Sequence, residues 1–194
     1  ICGDGLTLGA ETCDDNNTPS LDGCDSACAT ETGWLCTGVT CAAICGDGLL
    51  LGTEACDDND TTSLDGCSSA CTTETGWTCS GLTCSAICGD GLTLGAETCD
   101  DNNLSSSDGC SSTCQTETGF TCSGVTCSAI CGDALLLGAE TCDDNNTSSS
   151  DGCSATCQTE TGFNCSGLTC SAICGDGLLL GAETCDDNNT SSSD

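Results

Sequence analysis

A strict 43-residue period constrains this chain more than any other feature. Ile-Cys-Gly-Asp recurs at Ile1, Ile44, Ile87, Ile130 and Ile173 without insertion or deletion. Four full copies fill residues 1–43, 44–86, 87–129 and 130–172, and the first half of a fifth covers 173–194. The first copy carries six cysteines, at Cys2, Cys13, Cys24, Cys28, Cys36 and Cys41. Cys174 and Cys185 of the half copy complete the 26 cysteines of this 194-residue chain. A unit this small, with a few leucines and one aromatic, cannot fold on apolar burial alone. Three disulfides per copy supply the missing constraint. The chain begins and ends inside the pattern, so it is expected to be a window on a longer array.

Six cysteines allow many pairings, and spacing does not choose among them. The working assignment is Cys2–Cys28, Cys13–Cys24 and Cys36–Cys41, repeated every 43 residues. Thiolate zinc sites fit poorly, because no C-x2-C pair occurs and histidine is absent. Oxidised cysteines instead imply an extracellular setting: a secreted protein, a surface appendage or a matrix.

Charge narrows the partners. There are 31 Asp and Glu against no Lys, Arg or His, a formal net charge of −31. Phosphate backbones are bound through Lys and Arg, so nucleic acid is excluded. No apolar run approaches the ~18 residues of a membrane span, which excludes direct insertion. The missing cations also remove the usual acid–base and oxyanion groups, so no catalytic residue is assigned and an enzyme is not expected.

Within each copy, local pattern predicts short pieces. Leu6 and Leu8 alternate, as do Leu49/Leu51, Leu92/Leu94, Leu135/Leu137 and Leu178/Leu180, which predicts a short strand with one apolar face. One aromatic recurs at Trp34, Trp77, Phe120 and Phe163 and is read as a cover over the disulfides. Cys36-Thr-Gly-Val-Thr-Cys41 reads as a hairpin closed by its own bridge. Residues 16–22 vary most and read as an exposed polar loop. The fold class is therefore small disulfide-rich repeats with short β-strands and hairpins and little helix. Through the short joint Ala42-Ala43-Ile44 they are expected to stack into a rigid linear rod or solenoid-like array.

The acids sit at fixed offsets. Asp4, Glu11, Asp14, Asp15 and Asp22 crowd between Cys2 and Cys24 with no basic side chain to pair them. A structural Ca2+ would relieve that repulsion, since it takes several hard oxygen ligands. The equivalents are Asp47, Glu54, Asp57, Asp58 and Asp65 in copy two; Asp90, Glu97, Asp100, Asp101 and Asp108 in copy three; Asp133, Glu140, Asp143, Asp144 and Asp151 in copy four; and Asp176, Glu183, Asp186, Asp187 and Asp194 in the half copy. Asp14, Asp15 and Asp22 are the expected inner ligands. The bland alternative is a solvated acidic face.

N-linked acceptor triplets begin at Asn16, Asn59, Asn103, Asn145, Asn146, Asn188 and Asn189 in the variable loop, and at Asn164 with Cys in the middle position. The Ser/Thr runs 61–63 and 147–150 are candidate O-linked sites.

Cys2-Gly-Asp-Gly, Gly9-Ala-Glu11-Thr-Cys13-Asp-Asp-Asn-Asn, Asp22-Gly-Cys24, Cys28 and Glu31-Thr-Gly-Trp34-Leu-Cys36 together resemble a known repeat. It is the cysteine-rich family named from myxobacterial surface proteins, found also in extracellular proteins of protists and algae. The resemblance covers nearly every copy. It implies secretion, disulfides and tandem display on large surface proteins, with no settled biochemical activity. A looser similarity to the calcium-binding Lin-12/Notch repeat favours the metal by analogy. The family's usual Gly is replaced here by Asn16, Asn59, Asn102, Asn145 and Asn188, which tolerate a positive φ. Ala134 stands where the other copies have Gly5, Gly48, Gly91 and Gly177, which implies that this position does not need a left-handed backbone.

These readings combine into an extracellular, glycosylated filament or surface fibre whose partners are copies of itself, end to end or side by side, and glycans. The competing class is an adhesion or binding stalk that displays its loops to a receptor or glycan.

Overall fold

The computed structural model describes residues 1–191. It divides into two compact units, residues 1–87 with 94–96 and residues 88–93 with 97–194. No helix occurs among the described residues. The strands form hairpins, one per full copy. They are β1 Trp34–Thr37 with β2 Thr40–Ala43, β3 Trp77–Ser80 with β4 Thr83–Ala86, β5 Phe120–Ser123 with β6 Thr126–Ala129, and β7 Phe163–Ser166 with β8 Thr169–Ala172. Each pair is antiparallel around a two-residue turn that starts with a glycine, such as Gly38 at φ 65°. Cys36 lies directly opposite Cys41, so the bridge cross-links the hairpin in register.

The pairs are Cys2–Cys28, Cys13–Cys24 and Cys36–Cys41, and the next three copies repeat them. Cys174 and Cys185 are unpaired and exposed. Sulfur is the core: Cys13, Cys24 and Cys28 are each 1 % exposed, with Cys2, Cys36 and Cys41 packed on them. The aromatic covers this cluster. A methyl on Gly23 would meet the Trp34 ring at 2.9 Å and the Cys41 Cβ at 2.3 Å, so only glycine lets the hairpin close onto the knot.

The expected leucine strand does not form. Leu6 and Leu8 are 58 % and 60 % exposed and make no ladder. Their equivalents serve a different contact, in which Leu49 and Leu51 lie over Gly33 of the preceding copy. Leu135 and Leu137 cover Gly119 in the same way, and Leu178 and Leu180 cover Gly162. The period-two pattern thus records a junction between copies rather than a sheet face. At that junction the Ile44 amide donates to the Gly33 carbonyl at 2.8 Å, which continues the hairpin into the next copy. The Trp34 ring sits between Gly23 of its own copy and Gly52 of the next.

Ala134 corrects another expectation. Its φ is 67°, beside 78° to 85° at Gly5, Gly48, Gly91 and Gly177, so this position does require a left-handed backbone. Asn16, Asn59, Asn102, Asn145 and Asn188 also have positive φ, from 64° to 71°.

Candidate functional site

The acidic region is held by backbone amides, which explains how so many carboxylates coexist without basic side chains. Asp14 is fully buried beside the Cys13–Cys24 bridge. It accepts from the amides of Gly3 at 3.0 Å, Asp4 at 3.3 Å, Gly5 at 2.9 Å and Asn16 at 3.0 Å. Those contacts turn the two ends of the first loop toward one point. Asp57, Asp100, Asp143 and Asp186 do the same in their copies. Burial pushes the Asp14 carboxyl up, but the four amides outweigh it and hold the group below the ordinary carboxylate range.

Three further carboxylates that recur from copy to copy act on the backbone. Asp4 accepts from Leu6, as Asp47, Asp90, Asp133 and Asp176 accept from Leu49, Leu92, Leu135 and Leu178. Glu11 accepts from Leu8, as Glu54, Glu140 and Glu183 accept from Leu51, Leu137 and Leu180. Glu31 accepts from the amides of Leu21 and Gly23 and fixes the second loop, with Leu21 at φ 80°. Glu74, Glu117 and Glu160 repeat that contact. The anchoring role of Glu31 is not visible in its spacing; only its invariance across copies marks it.

The expected inner-ligand set therefore separates. The Asp14 oxygens are taken by four amides, and Asp4 and Glu11 each hold a turn. Asp15 and Asp22 remain, together with the second oxygen of Glu54, Glu140 and Glu183, which is buried without a hydrogen-bond partner. One buried oxygen of Asp15, Asp58, Asp101 and Asp144 has no hydrogen-bond partner, at the same position in all four full copies. Asp22 has one such oxygen too, while its other oxygen accepts from the Asn17 side-chain amide at 3.1 Å. Asp108 and Asp151 accept likewise from Asn103 and Asn146. In copy two an acid, Asp60, replaces that asparagine. There, burial raises Asp58 above its ordinary value, and the charges of Asp65 and Asp60 add to the rise. The unpartnered Asn17 oxygen has a separate cause: the residue two ahead is Pro19, which has no N–H to give.

A second grouping brings Glu97 and Asp100 to the Cys88–Cys114 bridge, and Glu140 and Asp143 to Cys131–Cys157. The sulfurs there are oxidised and the aspartates already anchor loops, so these are poor metal ligands. Asp187 is exposed, and Asp194 lies outside the described residues. Of the acceptor asparagines, Asn16, Asn59, Asn145 and Asn188 are exposed, Asn103, Asn146 and Asn189 are half-buried, and Asn164 is exposed on β7.

Helix-free, disulfide-cored repeats in tandem define an extracellular structural or binding module. No helix among the described residues is long and apolar enough to cross a membrane. The chain belongs to the domain of unknown function DUF4215, which matches five times, over residues 1–29, 27–72, 69–115, 113–158 and 156–194. Residues 27–72 join the hairpin of one copy to the acidic knot of the next, the pair that Trp34 and Ile44 bind together. No curated protein and no solved structure matches the chain.

Proposed function

We propose that the chain is a structural component of an extracellular, glycosylated filament or surface fibre, built from repeats that disulfides lock and calcium stabilises. The observation that carries this reading is how the carboxylates are spent. Each full copy uses an aspartate of the Asp14 type and a glutamate of the Glu31 type to hold its own loops. Chemistry directed inward and repeated copy after copy suits a spacer rather than an enzyme. The recurring unpartnered oxygen of Asp15, Asp58, Asp101 and Asp144 supports Ca2+, and in this reading Asp22, Asp65, Asp108 and Asp151 supply the second carboxylate. Exposed acceptor asparagines in the loop support a glycan coat. Partners in this reading are further copies of the chain, end to end or side by side, with cations or sugar between like-charged surfaces. Nucleic acid and membrane insertion have no part in it.

Electron micrographs of the secreted protein test the fibre. Continuous filaments with a repeat set by the 43-residue unit are expected. Isolated particles that capture one defined glycan on an array would favour the second reading, an adhesion or binding stalk. A groove of about 570 Å3 lined by Phe163, Ala172, Gly181 and Glu183 favours that alternative. Similar grooves lie at Trp34 and Phe120.

A further inference from the structure

We propose that the exposed first asparagine of the loop, at Asn16, Asn59, Asn145 and Asn188, carries the N-linked glycan, and that its half-buried neighbours Asn103 and Asn146 do not. The inference rests on the glycosylated reading above and selects among its adjacent acceptors. Sequence alone does not separate them, because Asn145 and Asn146 both begin acceptor triplets.

The two positions differ in what the side chain is doing. The first asparagine is exposed in every copy, with its backbone fixed by a positive φ and by a hydrogen bond from its own amide to the anchoring aspartate. The second is engaged at both ends. Asn103 donates to Asp108 at 3.4 Å and accepts from the Ser105 amide at 2.5 Å. Asn146 donates to Asp151 at 3.2 Å and accepts from the Ser148 amide at 2.6 Å.

Glycan transfer joins the asparagine Nδ2 to C1 of an oligosaccharide carried on an isoprenoid diphosphate. The N–C1 bond forms, the C1–O bond breaks, the diphosphate leaves with the electron pair, and the amide gives up one proton. At Asn103 or Asn146 the sugar would be attached to the very nitrogen that contacts Asp108 or Asp151. One N–H remains on that amide, but the sugar on Nδ2 has to fit at a half-buried residue whose oxygen and nitrogen are both already engaged. At the first position the sugar meets solvent.

A consequence distinguishes copy three. Leu104 follows Asn102-Asn103, so Asn102 is not an acceptor and only Asn103 is available in that loop. Copy three is therefore bare in the loop, between glycosylated neighbours.

Secretion from a eukaryotic cell followed by site-resolved glycopeptide mass spectrometry tests this. Cleavage at Asp and Glu replaces trypsin, because Lys and Arg are absent. Sugar is expected at Asn16, Asn59, Asn145 and Asn188, with Asn103 and Asn146 bare. The substitution Leu104→Thr recreates the copy-four arrangement, and a mass gain of one glycan at Asn102 is expected. Sugar on Asn103 or Asn146, or no gain in Leu104→Thr, overturns the assignment while leaving a glycoprotein. A chain with no sugar at any site overturns both.

Discussion

The Gly5 amide donates to the Asp14 carboxylate at 2.9 Å, and this contact does work that a strand ladder does elsewhere. The first loop of each repeat lacks regular structure, so its amides need acceptors. One buried carboxylate beside a disulfide supplies four of those bonds at once. Replacing Asp100 by Ala leaves the amides of Gly89, Asp90, Gly91 and Asn102 without that acceptor. A buried donor left unpaired costs about 1–3 kcal/mol. The expected loss is therefore large and local. Hydrogen exchange should show residues 89–102 unprotected in Asp100→Ala while the Cys122–Cys127 hairpin keeps its protection. Uniform loosening of all four copies would refute the anchor role.

Acid should spare this architecture longer than a carboxylate-rich chain suggests. Burial raises Asp57, Asp100 and Asp143, but the amide bonds outweigh it, so their folded values lie below the ordinary one. A depressed carboxyl contributes stability that is fully present above the unfolded pKa, about 3.9, and is lost as pH falls through the folded value. Asp58 has the opposite sign: its raised value makes its charge a cost that protonation relieves. Exchange measured from neutral pH downward should show protected first loops at pH ~4. Cation binding at the Asp58 loop should weaken first. Simultaneous loss of both would contradict the opposed shifts.

Ala134 is a natural substitution at a left-handed position. An L-residue there costs roughly 1–2 kcal/mol against glycine, part of which the greater unfolded-state freedom of glycine returns. Ala134→Gly should stabilise copy four by about 1 kcal/mol, and Gly91→Ala should destabilise copy three by a similar amount. Gly109→Ala is a harsher case, because its methyl would fall 2.3 Å from the Cys127 Cβ and 2.9 Å from the Phe120 ring. That variant is expected to misplace the hairpin and expose Phe120, read as a rise in exchange across residues 120–129. An unchanged Ala134→Gly would mean that the backbone there relaxes without glycine.

These residues also show what the sequence could carry. The hairpin was legible because Cys36 and Cys41 flank a glycine turn, which suggested the bridge that closes it although spacing did not force that pairing. The asparagines at positive φ were legible for a similar reason, since asparagine is the usual substitute for glycine there. The leucine pattern misled: alternation marks residues that share a face, and a junction with Gly33 uses that face as well as a strand does. Ala134 misled because tolerance of alanine was read as freedom of φ, whereas the hydrogen bond its own amide donates to the Asp143 carboxylate holds the residue left-handed. The amide contacts of Asp14 were not legible, because spacing shows where carboxylates gather and not which of them already face amides. Asp15 and Asp22 were separable only once those bonds were known.

Calcium at those two residues is the remaining prediction. The unpartnered oxygen recurs at Asp15, Asp58, Asp101 and Asp144, so titration of the chelator-treated chain should find one site per full copy. A cation that binds only the folded state stabilises it by about 2.7 kcal/mol at a hundredfold excess over Kd. Chelation should therefore raise exchange in residues 15–22 and their equivalents, while the Cys36–Cys41 hairpin, closed by a covalent bridge, stays protected. Asp101→Asn should remove one site and abolish the calcium response of copy three alone. It leaves Asp100, and hence the loop anchor, in place. Magnesium should substitute poorly, because it demands tight octahedral geometry and two carboxylates on a loop do not enforce it. Identical exchange in calcium and in chelator would leave the acids as a solvated surface.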